Sequence, residues 1–218
     1  MRAYMKSAMP YRGVMTTPLR RIYRDVFPAH PLETFDDWRE AILDLWRGAR
    51  YREERYAAIA LAGHGAYSDF RTMKALPIFE EMIVTGAWWD YVDGIASGPL
   101  GEILRRYPAA MNRRMRAWSR CDDMWKRRAS ILCQLGCKDE TDLDLLYACI
   151  EPNLDDREFF IRKAIGWALR QYAWTDPDEI VRYVAARGER LSPLSRREAL
   201  KNVGRRARPA GKTGRPDK

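Results

Sequence analysis

Five segments of the chain fall into one register: Arg55-Tyr56-Ala57-Ala58, Tyr91-Val92-Asp93-Gly94, Arg127-Arg128-Ala129-Ser130, Arg162-Lys163-Ala164-Ile165 and Arg197-Glu198-Ala199-Leu200. Their third column stands at 57, 93, 129, 164 and 199, giving spacings of 36, 36, 35 and 35 residues. A period of that length marks a supersecondary unit that cannot bury its apolar face alone and must stack on its neighbours. Within the units, apolar residues recur at helical spacing, as in Phe35, Trp38, Ile42, Leu45 and Trp46, or Leu143, Leu146, Tyr147 and Ile150. Strand signals are sparse. Turn chemistry separates the helices: Thr34 or Asp36 opens one, Gly63 and Gly65 close its partner, Gly98-Pro99 breaks another, and Thr175-Asp176-Pro177 starts a further one. The expected fold is all-α, a HEAT-like or ARM-type solenoid of about five to six antiparallel helix pairs with a concave basic face. Residues 1–204 are expected to form one domain, and 205–218 a basic tail.

The net charge of +9 sits at one end. From Arg182 to Lys218 there are 12 Lys and Arg against 3 Asp and Glu, so residues 1–181 balance at 27 against 27. Any preference of the body for an anion must therefore come from how its charges are segregated. The presumed first helices at 32–48 and 138–156 carry 2 basic against 5 acidic residues and 1 against 7. The second helices at 121–136 and 157–172 are richer in basic residues, which places an acidic layer outside and a basic layer inside. Residues 101–120 add six arginines, and the tail adds nonspecific attraction for phosphate. This placement favours a phosphate backbone over a membrane.

No apolar run is long enough to span a bilayer, and the amino terminus turns quickly into Pro10 and Arg12, so the chain is expected to be cytoplasmic, associated with the nucleoid, without a membrane partner. Four cysteines (Cys121, Cys133, Cys137, Cys149) lack a C-x-x-C pair and lie far in sequence from His30 and His64. They read as reduced thiols packed as small hydrophobes, with no metal. No P-loop, dinucleotide fingerprint or metalloprotease helix is present, and no cofactor is expected.

One copy breaks the register. Where the other four have Arg-x-Ala, the second has Tyr91-x-Asp93, a carboxylate in place of a small packed residue. Trp89 stands four residues earlier, so on a helix the indole and the carboxylate share a face. Two repeats on, Trp167 lies between Lys163 and Arg170, with Gly166 beside it leaving room for the indole or a ligand. Such an aromatic among cations can be a stacking surface; taken singly, each of these tryptophans also suits a core.

The segments Trp88-Trp89-Asp90-Tyr91-Val92-Asp93, Met124-Trp125-Lys126-Arg127-Arg128-Ala129 and Phe159-Phe160-Ile161-Arg162-Lys163-Ala164-Ile165-Gly166-Trp167, with Tyr4-Met5-Lys6 and Tyr11-x-Gly13-Val14 ahead of them, resemble the AlkD-like DNA alkylation repair family over most of residues 1–204. The resemblance implies HEAT-like repeats and a DNA glycosylase acting in base excision repair on 3-alkyl and 7-alkyl purines. It implies a catalytic Asp93, site tryptophans at Trp89 and Trp167, and a DNA-contacting arginine at Arg128. Two departures stand out: the first helix of the opening repeat reads as shortened, and the arginine-rich tail reads as additional.

The chemistry suits one carboxylate. Alkylation at N3 or N7 makes the purine cationic, so it departs neutral and needs little help from the general acid that sugar hydrolysis usually requires. An anion at Asp93 can then stabilise the positive sugar and orient water, while Trp89 and Trp167 offer negative ring faces to the cationic base or the sugar. Arg128, Lys163, Arg162 and Arg170 are the expected phosphate contacts, with Tyr4 also expected at the DNA. Nothing singles out Lys163 for Schiff-base chemistry, so the expected enzyme is monofunctional, acts on duplex DNA as a monomer without an obligate protein partner, and leaves an abasic site. Three alternatives remain open at this level: a noncatalytic helical scaffold for DNA or protein, a relative specialised for bulky adducts, and a binder of structured RNA.

Overall fold

The computed structural model describes residues 5–203; Tyr4 and the basic tail lie outside the described residues. Among the described residues there are twelve α-helices and no strand. Ten of them follow one another as first and second helices, as the period requires: α2 (Phe35–Arg47) then α3 (Arg52–Ala62), α4 (Leu76–Gly86) then α5 (Trp89–Ile95), α7 (Pro108–Trp118) then α8 (Met124–Leu132), α9 (Leu143–Ile150) then α10 (Phe159–Tyr172), and α11 (Pro177–Arg187) then α12 (Pro193–Ala199). Outside the pairs, α1 (Thr16–Ala29) packs on α3, and α6 (Gly101–Arg106) continues α5 beyond a wide turn.

The second helix of each pair contacts the second helix of the next, so α3, α5, α8, α10 and α12 form one layer. The first helices lie behind, α2 against α4 and α7 against α9. The repeat register maps onto the layer of second helices, where Ala129, Ala164 and Ala199 are fully buried; the small side chain is what lets successive helices approach. Asp93 occupies the same column and is buried too.

Side chains satisfy the orphan amides at the helix starts. Thr34 Oγ1 accepts the Asp37 N–H at 3.1 Å while the Asp37 carboxylate accepts the Thr34 N–H at 3.2 Å, a reciprocal cap. Asp123, Asp142, Asp176 and Ser192 cap α8, α9, α11 and α12 in the same sense. Each cap contributes about 1 kcal/mol. Behind them runs one apolar core, from Trp38, Trp46 and Phe79 at one end to Leu169 and Ile180 at the other. Cys133, Cys137 and Cys149 are buried free thiols, and burial drives the Cys149 thiol up to about 12, so it packs as a neutral group. No described helix is long and apolar enough to cross a membrane.

Two irregular segments shape the layer. After Ile95 the backbone opens into a wide turn over Ala96–Leu100, where Gly98 has ψ −109° and Pro99 supplies no N–H; the break expected there is present. Ahead of α1, residues 5–14 form a strap across α3 and α5. Glu53 of α3, almost wholly buried, accepts the backbone N–H groups of Gly13 (2.8 Å) and Val14 (3.1 Å) on one oxygen and of Arg12 (3.1 Å) on the other. Gly13 stands at φ +90°, a region L side chains avoid, and this lets adjacent amides converge on one carboxylate. Pro10 O accepts the Arg52 N–H at 2.9 Å, and Met5 O accepts the Trp88 indole N–H at 3.0 Å. Lys6, in this strap, has φ +46°, a left-handed conformation that costs a non-glycine residue roughly 1–2 kcal/mol.

Candidate active site

Asp93 sits in the second turn of α5, with Trp89 one turn before it on the same side. The residue is 8% exposed, and its carboxylate receives both arms of a guanidinium: Arg128 Nε donates to Oδ1 at 2.7 Å and Nη2 to Oδ2 at 2.9 Å. The remaining arm, Nη1, donates to the Phe160 carbonyl, so one arginine on α8 ties α5 to α10. Burial pushes the Asp93 carboxyl above its usual range, and Arg128 offsets part of that rise by favouring the anion. The two-armed geometry fixes the orientation of the oxygens as well as their charge.

Asp93 and Arg128 form the floor of a cleft of about 700 Å³. Its walls include Trp88, Trp89, Phe160 and Trp167, with Lys6, Lys163 and Arg170 also lining it. Two of these rings touch, Trp88 and Phe160 at 5.8 Å between centroids, and Phe160 packs in turn on Trp125 at 5.2 Å. The carboxylate and both tryptophans singled out in the sequence thus share one cleft.

The sequence-predicted cations are placed differently from a row of open clamps. Arg128 is 3% exposed and committed to Asp93 and Phe160. Lys163 and Arg170 both pair with Glu198 of α12, at 3.2 and 2.6 Å. Burial raises the Glu198 carboxyl, but Lys163, Arg170 and Lys201 together outweigh it and hold it below its usual range. Arg162 donates to the Asp156 carbonyl at 2.9 Å. Gly166 does not open space for a ligand: a Cβ there would meet Glu198 Cβ at 2.6 Å and the Ser195 carbonyl at 2.9 Å, so it serves the close approach of α10 to α12.

A second acidic centre on α5 escaped the sequence reading. Both oxygens of Asp90 lie 2.6 Å from Arg52 Nη2, and the Tyr56 hydroxyl donates to Oδ2 at 2.6 Å. Arg52 is buried and stacks 4.5 Å from the Tyr91 ring centroid. The available signal was register: Arg52 begins α3 as a cation one repeat before an acid on the next inner helix, the same relation, with signs reversed, as Asp93 to Arg128. Asp90 borders a separate groove of about 510 Å³ with Tyr11, Tyr23, Tyr56 and Leu19. Trp89 and Met5 belong to both this groove and the cleft.

The class that fold and site define is an all-helical, two-layer repeat with an acid, aromatic faces and cations in one cleft. The chain matches the family model described as DNA alkylation repair enzyme over residues 1–203, and it belongs to that family. Among solved structures it is similar to a predicted DNA alkylation repair enzyme from Enterococcus faecalis, with 28% identity, a TM-score of 0.77, and coverage of 94% of this chain and 93% of that one. It shares the fold of AlkD2 from Streptococcus mutans at 15% identity and a TM-score of 0.57, covering 88% of this chain and 100% of that one. No curated protein matches the chain.

Proposed function

We propose that the protein is a monofunctional DNA glycosylase that hydrolyses the N-glycosidic bond of cationic N3- or N7-alkylated purines in duplex DNA. The observation that carries this reading is a single buried carboxylate, Asp93, held by the fork of Arg128 in a cleft lined by Trp89 and Trp167. As the C1′–N bond breaks, its electron pair leaves with the base, which becomes neutral, and positive charge collects on the deoxyribose. The Asp93 anion lowers the energy of that charge and orients a water, whose oxygen bonds to C1′ while its proton passes to the carboxylate or solvent. Trp89 and Trp167 present π faces to the cation, each contributing about 0.5–2 kcal/mol when water is excluded. Arg128 keeps the acid ionised and aimed. The product is an abasic site.

Release of methylated purine from alkylated duplex DNA tests the reading. Asp93→Asn is expected to slow release by roughly 10²–10³ while duplex binding persists. Equal release by both proteins would remove Asp93 from the chemistry, and duplex binding without release by either would instead leave a DNA-binding scaffold. A stronger hold on methylated RNA than on methylated duplex DNA would favour an RNA partner.

The aromatic groove beside the cleft favours a second reading of the substrate range, in which the site takes adducts bulkier than methyl. Trp89 stands between the two spaces, so a large substituent on the base has an apolar place to go. Comparable single-turnover rates on methyl and bulky aromatic adducts support it, and rejection of the bulky ones overturns it.

A further inference from the structure

Among the described cations that line the cleft, one has no partner. Arg128 is bound to Asp93, and Lys163 and Arg170 share Glu198. Lys6 lines the same cleft, is exposed, and makes no ion pair or hydrogen bond through its ammonium. Its backbone is held at φ +46°, where lysine stands only if its surroundings impose it. Those surroundings are specific. Glu53 gathers three amides of the strap, the Trp88 indole holds the Met5 carbonyl, and Met5 is buried directly before Lys6. An unpaired charge is therefore carried to a chosen place on a conformation that works against stability.

We propose that Lys6 contacts a backbone phosphate of the duplex seated in the cleft, and that Glu53 is the positioning residue that holds the strap so that Lys6 can reach it. This rests on the reading of the cleft as a DNA site. An ammonium on a flexible stem binds phosphate as a point charge without reading sequence, and it releases counterion when it does so. The paired cations contribute less to that release, because each already has an anion.

The test is affinity for a 7-methylguanine duplex and for its undamaged counterpart, measured from 50 to 200 mM salt, for wild type, Lys6→Gly, Lys6→Arg and Glu53→Gln. Lys6→Gly is expected to weaken binding to both duplexes by about three- to tenfold at low salt and to reduce the slope of log affinity against log salt by about 1. Its melting temperature should hold or rise, because glycine accepts the left-handed backbone. Lys6→Arg should restore the slope. Glu53→Gln should lose the same slope, with no further loss when combined with Lys6→Gly, since both changes remove one contact. If Lys6→Gly binds with the wild-type slope, the phosphate contact is wrong while the DNA reading stands. If wild type itself shows no salt-dependent hold on either duplex, the DNA reading fails and takes the Lys6 contact with it.

Discussion

At the scale of single residues, Asp93 shows a conflict between stability and use. Burial raises its carboxyl above the ordinary Asp value, so the folded protein binds that proton more tightly than the unfolded chain does. By linkage this group favours folding most at pH below the unfolded value, and that contribution is lost as pH rises through the folded one. The working form is the anion, which exists only on the far side of the same titration. The acid limb of the single-turnover rate should accordingly lie above the ordinary Asp pKa of about 3.9. Arg128 is what holds the limb down, so Arg128→Lys, which keeps a charge but loses the fork, should move it upward, and Arg128→Met should move it further. Arg128→Met also leaves a buried carboxylate without its cation, a loss of about 3–5 kcal/mol that thermal unfolding would register. A limb that stays in place in both variants would separate Asp93 from the chemistry.

At the scale of elements, the inner layer is stapled helix to helix by charge. Arg52 of α3 holds Asp90 of α5, Asp93 of α5 holds Arg128 of α8, Arg127 of α8 holds Asp156 just ahead of α10, and Lys163 and Arg170 of α10 hold Glu198 of α12. The α10–α12 seam is the closest of these contacts. Gly166 meets the backbone of Ser195, whose hydroxyl donates to the Arg162 carbonyl at 2.9 Å. Gly166→Ala must push the two helices apart, at about 1–3 kcal/mol, and the melting temperature should fall by roughly 2–12 °C. An unchanged melting temperature would mean that the seam yields freely. Glu198 has the opposite linkage to Asp93. Its lowered pKa gives stability that is present above the ordinary Glu range and lost as pH falls through the folded value. Glu198→Gln should therefore flatten the acid side of the stability curve. It also frees two cations in the cleft, so the salt dependence of duplex binding should steepen; no change in slope would show that Lys163 and Arg170 face away from DNA.

For the molecule as a whole, the period near 36 residues made the helix pairs and their order legible, because stacking requires small residues at one column and only a repeat places them so regularly. Asp93 was legible because it interrupts that column. Its partner was not: Arg128 reads as one more basic residue of an inner helix, and only folding brings it within reach of an acid 35 positions earlier. The pairing of Lys163 and Arg170 with Glu198 and the close approach at Gly166 were hidden for the same reason, since these contacts come from α12 some 30 residues on. Within residues 1–181 several of the balanced charges meet in such pairs, Arg52 with Asp90, Arg128 with Asp93 and Arg127 with Asp156. Nonspecific attraction to DNA must then come mostly from cations left over. Residues 205–218 hold six Lys and Arg against one Asp, a net charge of +5. A chain ending at Gly204 should bind undamaged duplex more weakly and with a salt slope shallower by up to about 4–5, because fewer counterions are released. Its rate of base release at saturating DNA should match that of the full chain, since Asp93, Trp89 and Trp167 are untouched. A slope that survives the truncation would move the attraction onto the folded body, to Lys6 and to whichever inner-layer pairs open when a phosphate competes for them.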